Sequence, residues 1–132
     1  MSAGVALAVN RIIVAVWFRK RPFIAHRIAH PWINSTDASF PSDHASASFA
    51  IAFAVLMLDP LAGAVFLVFA VVIAIGRLFI GAHYPGDVAA GLVVGAVSAF
   101  VVVRFGRSAV AWAVKPVERV TDPLLRPLWR RA

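Results

Sequence analysis

Four apolar stretches organise the chain, each bounded by polar or helix-breaking residues. Ala3 to Phe18 is apolar except at Asn10 and Arg11, and it runs into Arg19-Lys20-Arg21-Pro22. His44 to Leu58 is opened by Ser42, a favourable N-cap residue, and by Asp43, whose carboxylate complements the positive end of a helix dipole. Asp59-Pro60 makes a turn, and Leu61 to Ile80 follows with about twenty residues, enough to cross ~30 Å of hydrocarbon at ~1.5 Å per residue. Gly81 to Gly86, with Pro85, breaks the pattern before Asp87 to Val103. The pattern predicts an all-α integral membrane bundle: one domain, 1–132, with four transmembrane helices over approximately 3–18, 44–58, 61–80 and 87–103. Loops 19–43 and 81–86 join them. The first carries Pro22, Pro31, Asn34, Ser35, Thr36, Asp37 and Pro41, residues that stop helices. The Gly91-x3-Gly95 spacing permits close helix contact, and Ser46 and Ser48 are expected to bond to backbone carbonyls or to a facing helix.

Composition moves this picture towards the membrane. Of 132 residues, 61% are hydrophobic and 14% charged, and the mean hydropathy is +0.85, too apolar for a soluble domain of this size. A bundle this short has few helices with which to bury polar groups, so a second copy or further upstream helices are expected to complete the packing. Arg11 inside the first span fits the same expectation, because a lipid-facing arginine is expensive. The first span has no basic segment ahead of it, so it reads as a membrane helix and not as a signal peptide.

The net charge of +7 sits in two clusters, Arg19, Lys20, Arg21 and Arg27, then Arg104 through Arg131. Lipid headgroups suit that distribution, and no aromatic-interleaved basic strand points to nucleic acid. Residues 104–132 mix Arg, Lys115, Glu118 and Asp122 with Trp112, Leu124, Leu125 and Trp129, which predicts an amphipathic basic tail on anionic lipid. If that tail is cytoplasmic by the positive-inside tendency, four spans bring loops 19–43 and 81–86 together on the outer face.

Those loops carry the chemistry. Arg21-Pro22, Pro41-Ser42-Asp43-His44 and Arg77-x5-His83-x3-Asp87 place two arginines, two histidines and a carboxylate at the ends of apolar segments, where titratable groups mark function. Arg21 and Arg77 offer planar forks for phosphate oxygens, and Ser42 adds the N–H groups of a helix N-terminus. No cysteine exists to serve as nucleophile, thiolate ligand or disulfide partner. Histidine remains: Asp87 is expected to accept the proton on one nitrogen of His83, freeing the other to attack phosphorus, while His44 protonates the leaving oxygen. No His-Glu-x-x-His or comparable ligand spacing is present, and neither metal nor other cofactor is expected. His26 and His30 lie in the same outer loop, near Arg21.

These three segments resemble the signature of the type 2 phosphatidic acid phosphatase superfamily, Lys-x6-Arg-Pro, Pro-Ser-Gly-His and Ser-Arg-x5-His-x3-Asp. Arg21-Pro22-Phe23, Ala25-His26, Asp37 through His44 and His83-Tyr84-Pro85 look most like bacterial undecaprenyl-diphosphate phosphatases of the bacitracin-resistance type. The resemblance covers about residues 10 to 100. It implies His83 as nucleophile, Asp87 as its partner and His44 as acid, with Arg21, Ser42 and Arg77 holding phosphate, no metal, and a lipid diphosphate as substrate at the outer leaflet of a bacterial plasma membrane. Lys20 and Asp43 complete the expected phosphate-binding set. The family lysine falls on Val14, so that Lys20 or Arg19 must stand in for it, and Gly76 replaces a serine. The family usually carries about six spans, which places this chain's start near the third. Phosphatidic acid, phosphatidylglycerol phosphate or another polyprenyl phosphate are alternative substrates. A vanadate-dependent oxidoreductase and a truncated, non-catalytic lipid-phosphate-binding protein are the readings from other classes.

Overall fold

The computed structural model describes residues 1–26 and 37–106, which form helices without a strand among them. Helix α1 spans Ser2–Val16, α2 Pro22–Ala25, α3 Asp43–Leu56, α4 Pro60–Phe79 and α5 Pro85–Phe105. The predicted basic tail, apart from Arg104 to Gly106, and the loop residues Arg27 to Thr36 lie outside the described residues.

Helix boundaries follow local chemistry. α1 stops before the predicted Phe18 because Trp17 turns extended (φ −135°, ψ 96°) and its ring packs at 6.3 Å against Phe40. α3 ends at Leu56, two residues early, and Asp59 starts the next helix by accepting the N–H groups of Leu61 (3.0 Å) and Ala62 (3.1 Å). Proline at the first position of α2, α4 and α5 suits a site whose N–H would have no helical partner. The proline of α2 therefore begins a short helix inside the segment predicted as loop, and α5 starts two residues before Asp87.

Helices α4 and α5, 20 and 21 residues long, are long and apolar enough to cross a membrane. α1 and α3 have 15 and 14 residues, below the ~20 a crossing needs. α3 is the hub, packing against α5, α4 and α1, whereas α4 barely meets α5. Two glycines set the α3–α5 approach: a Cβ on Gly91 would come within 2.8 Å of the Ala45 Cβ, and one on Gly95 within 2.8 Å of the Ala50 nitrogen and the Ser46 carbonyl. Ala45, Phe49, Ala52, Ala70 and Ala74 form the core, while Phe66, Val68, Phe69, Val72 and Phe79 of α4 face outward. Small residues inside and large apolar ones outside is the arrangement that lipid favours.

A polar clasp crosses this apolar body. Asn10 of α1, wholly buried, donates to Asp43 (2.7 Å) and Ser46 (3.0 Å) of α3. Ser48 turns back on the His44 carbonyl at 2.7 Å, so the two helical serines behave as their sequence context implies. Ser42 N–H donates to the Asp87 carbonyl at 3.1 Å, which sets the starts of α3 and α5 side by side. The second half of α1, the starts of α3 and α5 and the end of α4 therefore meet at one end of the bundle.

Candidate active site

Gly81, with φ +64°, makes the turn that leaves α4, and the Ala82 N–H closes it on the Arg77 carbonyl (3.1 Å). His83 follows and is 4% exposed. Its Nδ1 lies 2.8 Å from the Ser39 carbonyl. A carbonyl can only accept, so the proton resides on Nδ1 and Nε2 keeps its lone pair. Nε2 is buried without a hydrogen-bond partner among the described residues. Burial, chiefly, lowers the pKa of His83 to about 4; the charges of Arg21 and Arg77 add to the shift, while the Ser39 carbonyl and Asp87 oppose it. The ring is neutral at pH 7.

Asp87 is placed differently from the sequence expectation. Its carboxylate does not take the ring proton: it accepts from Arg19 (3.0 Å), the Ser39 hydroxyl (2.5 Å) and the Tyr84 N–H (2.8 Å). Position explains this, because Asp87 sits in the first turn of α5, where its side chain reaches back to cap the helix. Asp87 thus holds Ser39, and Ser39 holds the ring. The Ser39 N–H donates to the Arg19 carbonyl at 2.7 Å, and the Arg19 guanidinium lies 4.0 Å from the centre of the Tyr84 ring.

Around the ring stand the cations. Arg21 is buried, its Nε donating to the Asp37 carbonyl at 3.2 Å. Arg77 is half-buried, with an Nε that has no partner among the described residues, and it feels the charge of Arg21. His44, exposed in the first turn of α3, interacts electrostatically with Arg77, Asp43 and Arg21. Ser42 is fully buried as N-cap, its hydroxyl 3.4 Å from the Ala45 N–H. The structure therefore brings His83, His44, Arg21, Arg77 and Ser42 together.

Two members of the predicted phosphate-binding set are placed differently: Asp43 is on the wall of a cavity beside His83 but engaged by α1, and Lys20 is exposed. The Asp43 carboxylate is taken by Asn10 and by Arg11 at 3.6 Å, and a carboxylate repels phosphate. Arg19, the other proposed substitute at the lysine position, is spent on Asp87. The cavity beside His83, of about 220 Å³, is lined also by Arg11, Val14, Phe18, Asp37, Ala38, Pro41 and Asp43.

Sequence reasoning missed Ser39 and Asn10 as site-building residues, and it gave Arg19 a different task, as a stand-in for the family lysine, from the contact with Asp87 that the structure shows. Ser39 acts through a backbone carbonyl, which no residue type announces. Asn10 carried a signal, since a carboxamide in the middle of an apolar helix needs a partner.

The sequence model of the PAP2 superfamily matches residues 1–110. Among curated relatives, undecaprenyl-diphosphatase BcrC of Bacillus subtilis (strain 168) is 38% identical over 103 residues, covering 77% of this chain and 53% of that protein. Bacitracin transport permease protein BcrC of Bacillus licheniformis is 44% identical over 66 residues, 50% of this chain and 32% of that protein. YbjG of Escherichia coli (strain K12) is 35% identical over 97 residues, 72% and 48% of the two chains. The chain spans about half the length of the first of these relatives or less. A match reaching from α1 through the end of α5 takes in all three polar motifs and the buried histidine they surround, and the chain belongs to the PAP2 superfamily.

Proposed function

We propose that the protein is a membrane phosphatase that converts undecaprenyl diphosphate to undecaprenyl phosphate through a phosphohistidine, recycling a cell-wall carrier lipid. One observation carries the catalytic reading: the buried Nε2 of His83, its proton committed to the Ser39 carbonyl, lies in the field of two arginines. The names of the relatives support the lipid.

In this reading Arg21 and Arg77 hold the terminal phosphoryl oxygens and stabilise charge in the transition state. The Nε2 lone pair forms the N–P bond as the bond from phosphorus to the bridging oxygen breaks, and His44 supplies the proton that the leaving lipid phosphate takes. Water then attacks phosphorus, His44 removes its proton, the N–P bond breaks and inorganic phosphate departs. Asp87 is a positioning residue, acting through Ser39.

The same reading gives the molecule four spans, with α1 and α3 extended to the membrane faces by Trp17-Phe18 and Met57-Leu58. The site faces outward and the basic tail lies in the cytoplasm of a bacterial cell.

Phosphate release from undecaprenyl diphosphate by the purified chain in detergent with EDTA tests the proposal. The wild type is expected to release phosphate and His83→Ala to release at least ~100-fold less. Silence from a folded, helical wild type would leave a lipid-phosphate-binding protein instead.

A further inference from the structure

The cavity beside His83 has a cation of its own. Among the described residues that line it, Arg11 is the cationic side chain, one helical turn before Val14; His83 shares the same wall, and so do the carboxylates of Asp37 and Asp43, so a diphosphate enters only where the guanidinium outweighs them. Arg21 and Arg77 act on His83 from their own loop and helix, so the site holds two separate cationic groups. We propose that Arg11 recognises the second phosphate of a lipid diphosphate, the one esterified to the lipid, while the terminal phosphate sits at His83. The inference rests on the phosphatase reading and deepens it by fixing diphosphates over monophosphates as the substrate class.

The state of Arg11 fits that task. Its side chain is 72% exposed and meets Asp43 through one 3.6 Å contact, so it is tethered but not locked. Asp43 is held independently by Asn10 at 2.7 Å and by its place in the first turn of α3, so it keeps favourable contacts when the guanidinium leaves. A phosphate oxygen can therefore displace a weak ion pair without stranding either partner. A monophosphate bound at His83 leaves Arg11 with Asp43. The cavity, at about 220 Å³, is several times the ~30 Å³ share of one liquid water, room for a multi-atom anion. Val14, Phe18 and Pro41 on its wall offer apolar contact to the first carbons of the lipid.

The test is calorimetric titration of the whole chain in detergent with inorganic pyrophosphate and with inorganic phosphate. It is paired with kcat/KM for a short polyprenyl diphosphate against the matching monophosphate. Arg11→Gln is expected to reduce the preference for the diphosphate about tenfold in both assays, the scale of one lost charge-assisted contact. Asp43→Asn, which removes the competing carboxylate, is expected to strengthen pyrophosphate binding more when Arg11 is present than in Arg11→Gln, whereas loss of a repelling charge alone gives equal gains in both backgrounds.

An unchanged preference in Arg11→Gln overturns the inference while the phosphatase reading stands, and so does a folded Asp43→Asn whose gain in pyrophosphate binding is no larger with Arg11 than in Arg11→Gln. A wild type that binds neither anion and turns over neither lipid overturns both. A preference lost for inorganic pyrophosphate alone assigns the contact to a free diphosphate and overturns the lipid assignment.

Discussion

Between pH 6.5 and about 4 the folded chain keeps the His83 ring neutral, whereas the unfolded chain takes up a proton there. The folded pKa lies below the ordinary value, so this group's contribution to stability is full above pH 6.5 and is lost as pH falls towards 4. We expect the melting temperature in detergent to drop between pH 7 and pH 4.5 by more in the wild type than in His83→Gln, which has no proton to gain. Parallel drops would show that the ring is not buried neutral. The residues that build this environment were legible in part. Arg21, Ser42, His44, Arg77 and His83 were identified by type and spacing, and all five come to one end of the bundle. The partner of His83 was illegible, because the bond runs to a main-chain oxygen and Asp87 is diverted to a helix start, to Arg19 and to Ser39. Asp43 misled because a carboxylate inside a phosphate motif gives no hint that α1 claims it.

Helix positions were read well where proline, aspartate or serine punctuates the chain, and less well at Trp17, an apolar residue that ends a helix by packing sideways. The glycine pair of α5 was legible as a spacing; its partner helix was not, since spacing names no neighbour. With backbone and Cβ atoms of α3 within 3.0 Å of both added Cβ positions, Gly95→Ala forces the helices apart. Overpacking of this kind costs about 1–3 kcal/mol. Denaturant titration in mild detergent is expected to show a loss of that order, together with reduced activity, because α3 carries His44 and α5 carries Asp87. Gly76→Ala is the control: its added Cβ meets nothing within 4 Å, and better helix propensity adds up to ~1 kcal/mol. Equal losses at both positions would contradict the packing described.

For the whole molecule, hydropathy gave the apolar helical character and the convergence of three motifs at one end, while the orientation across a bilayer is a proposal with a direct test. The chain has no cysteine, so single cysteines can be added without background. In intact cells, Ala25→Cys and Gly86→Cys are expected to react with a membrane-impermeant maleimide, and Leu58→Cys only after permeabilisation. The reverse pattern would turn the site inward. The contact between Trp17 and Phe40 has one more use. Phe40 lies between Ser39, which holds the histidine, and Pro41, which lines the cavity, so an indole is already seated next to the cavity proposed to take the substrate. Its emission, isolated by subtracting a Trp17→Phe variant, is a native optical reporter of occupancy, able to follow binding in real time without a label.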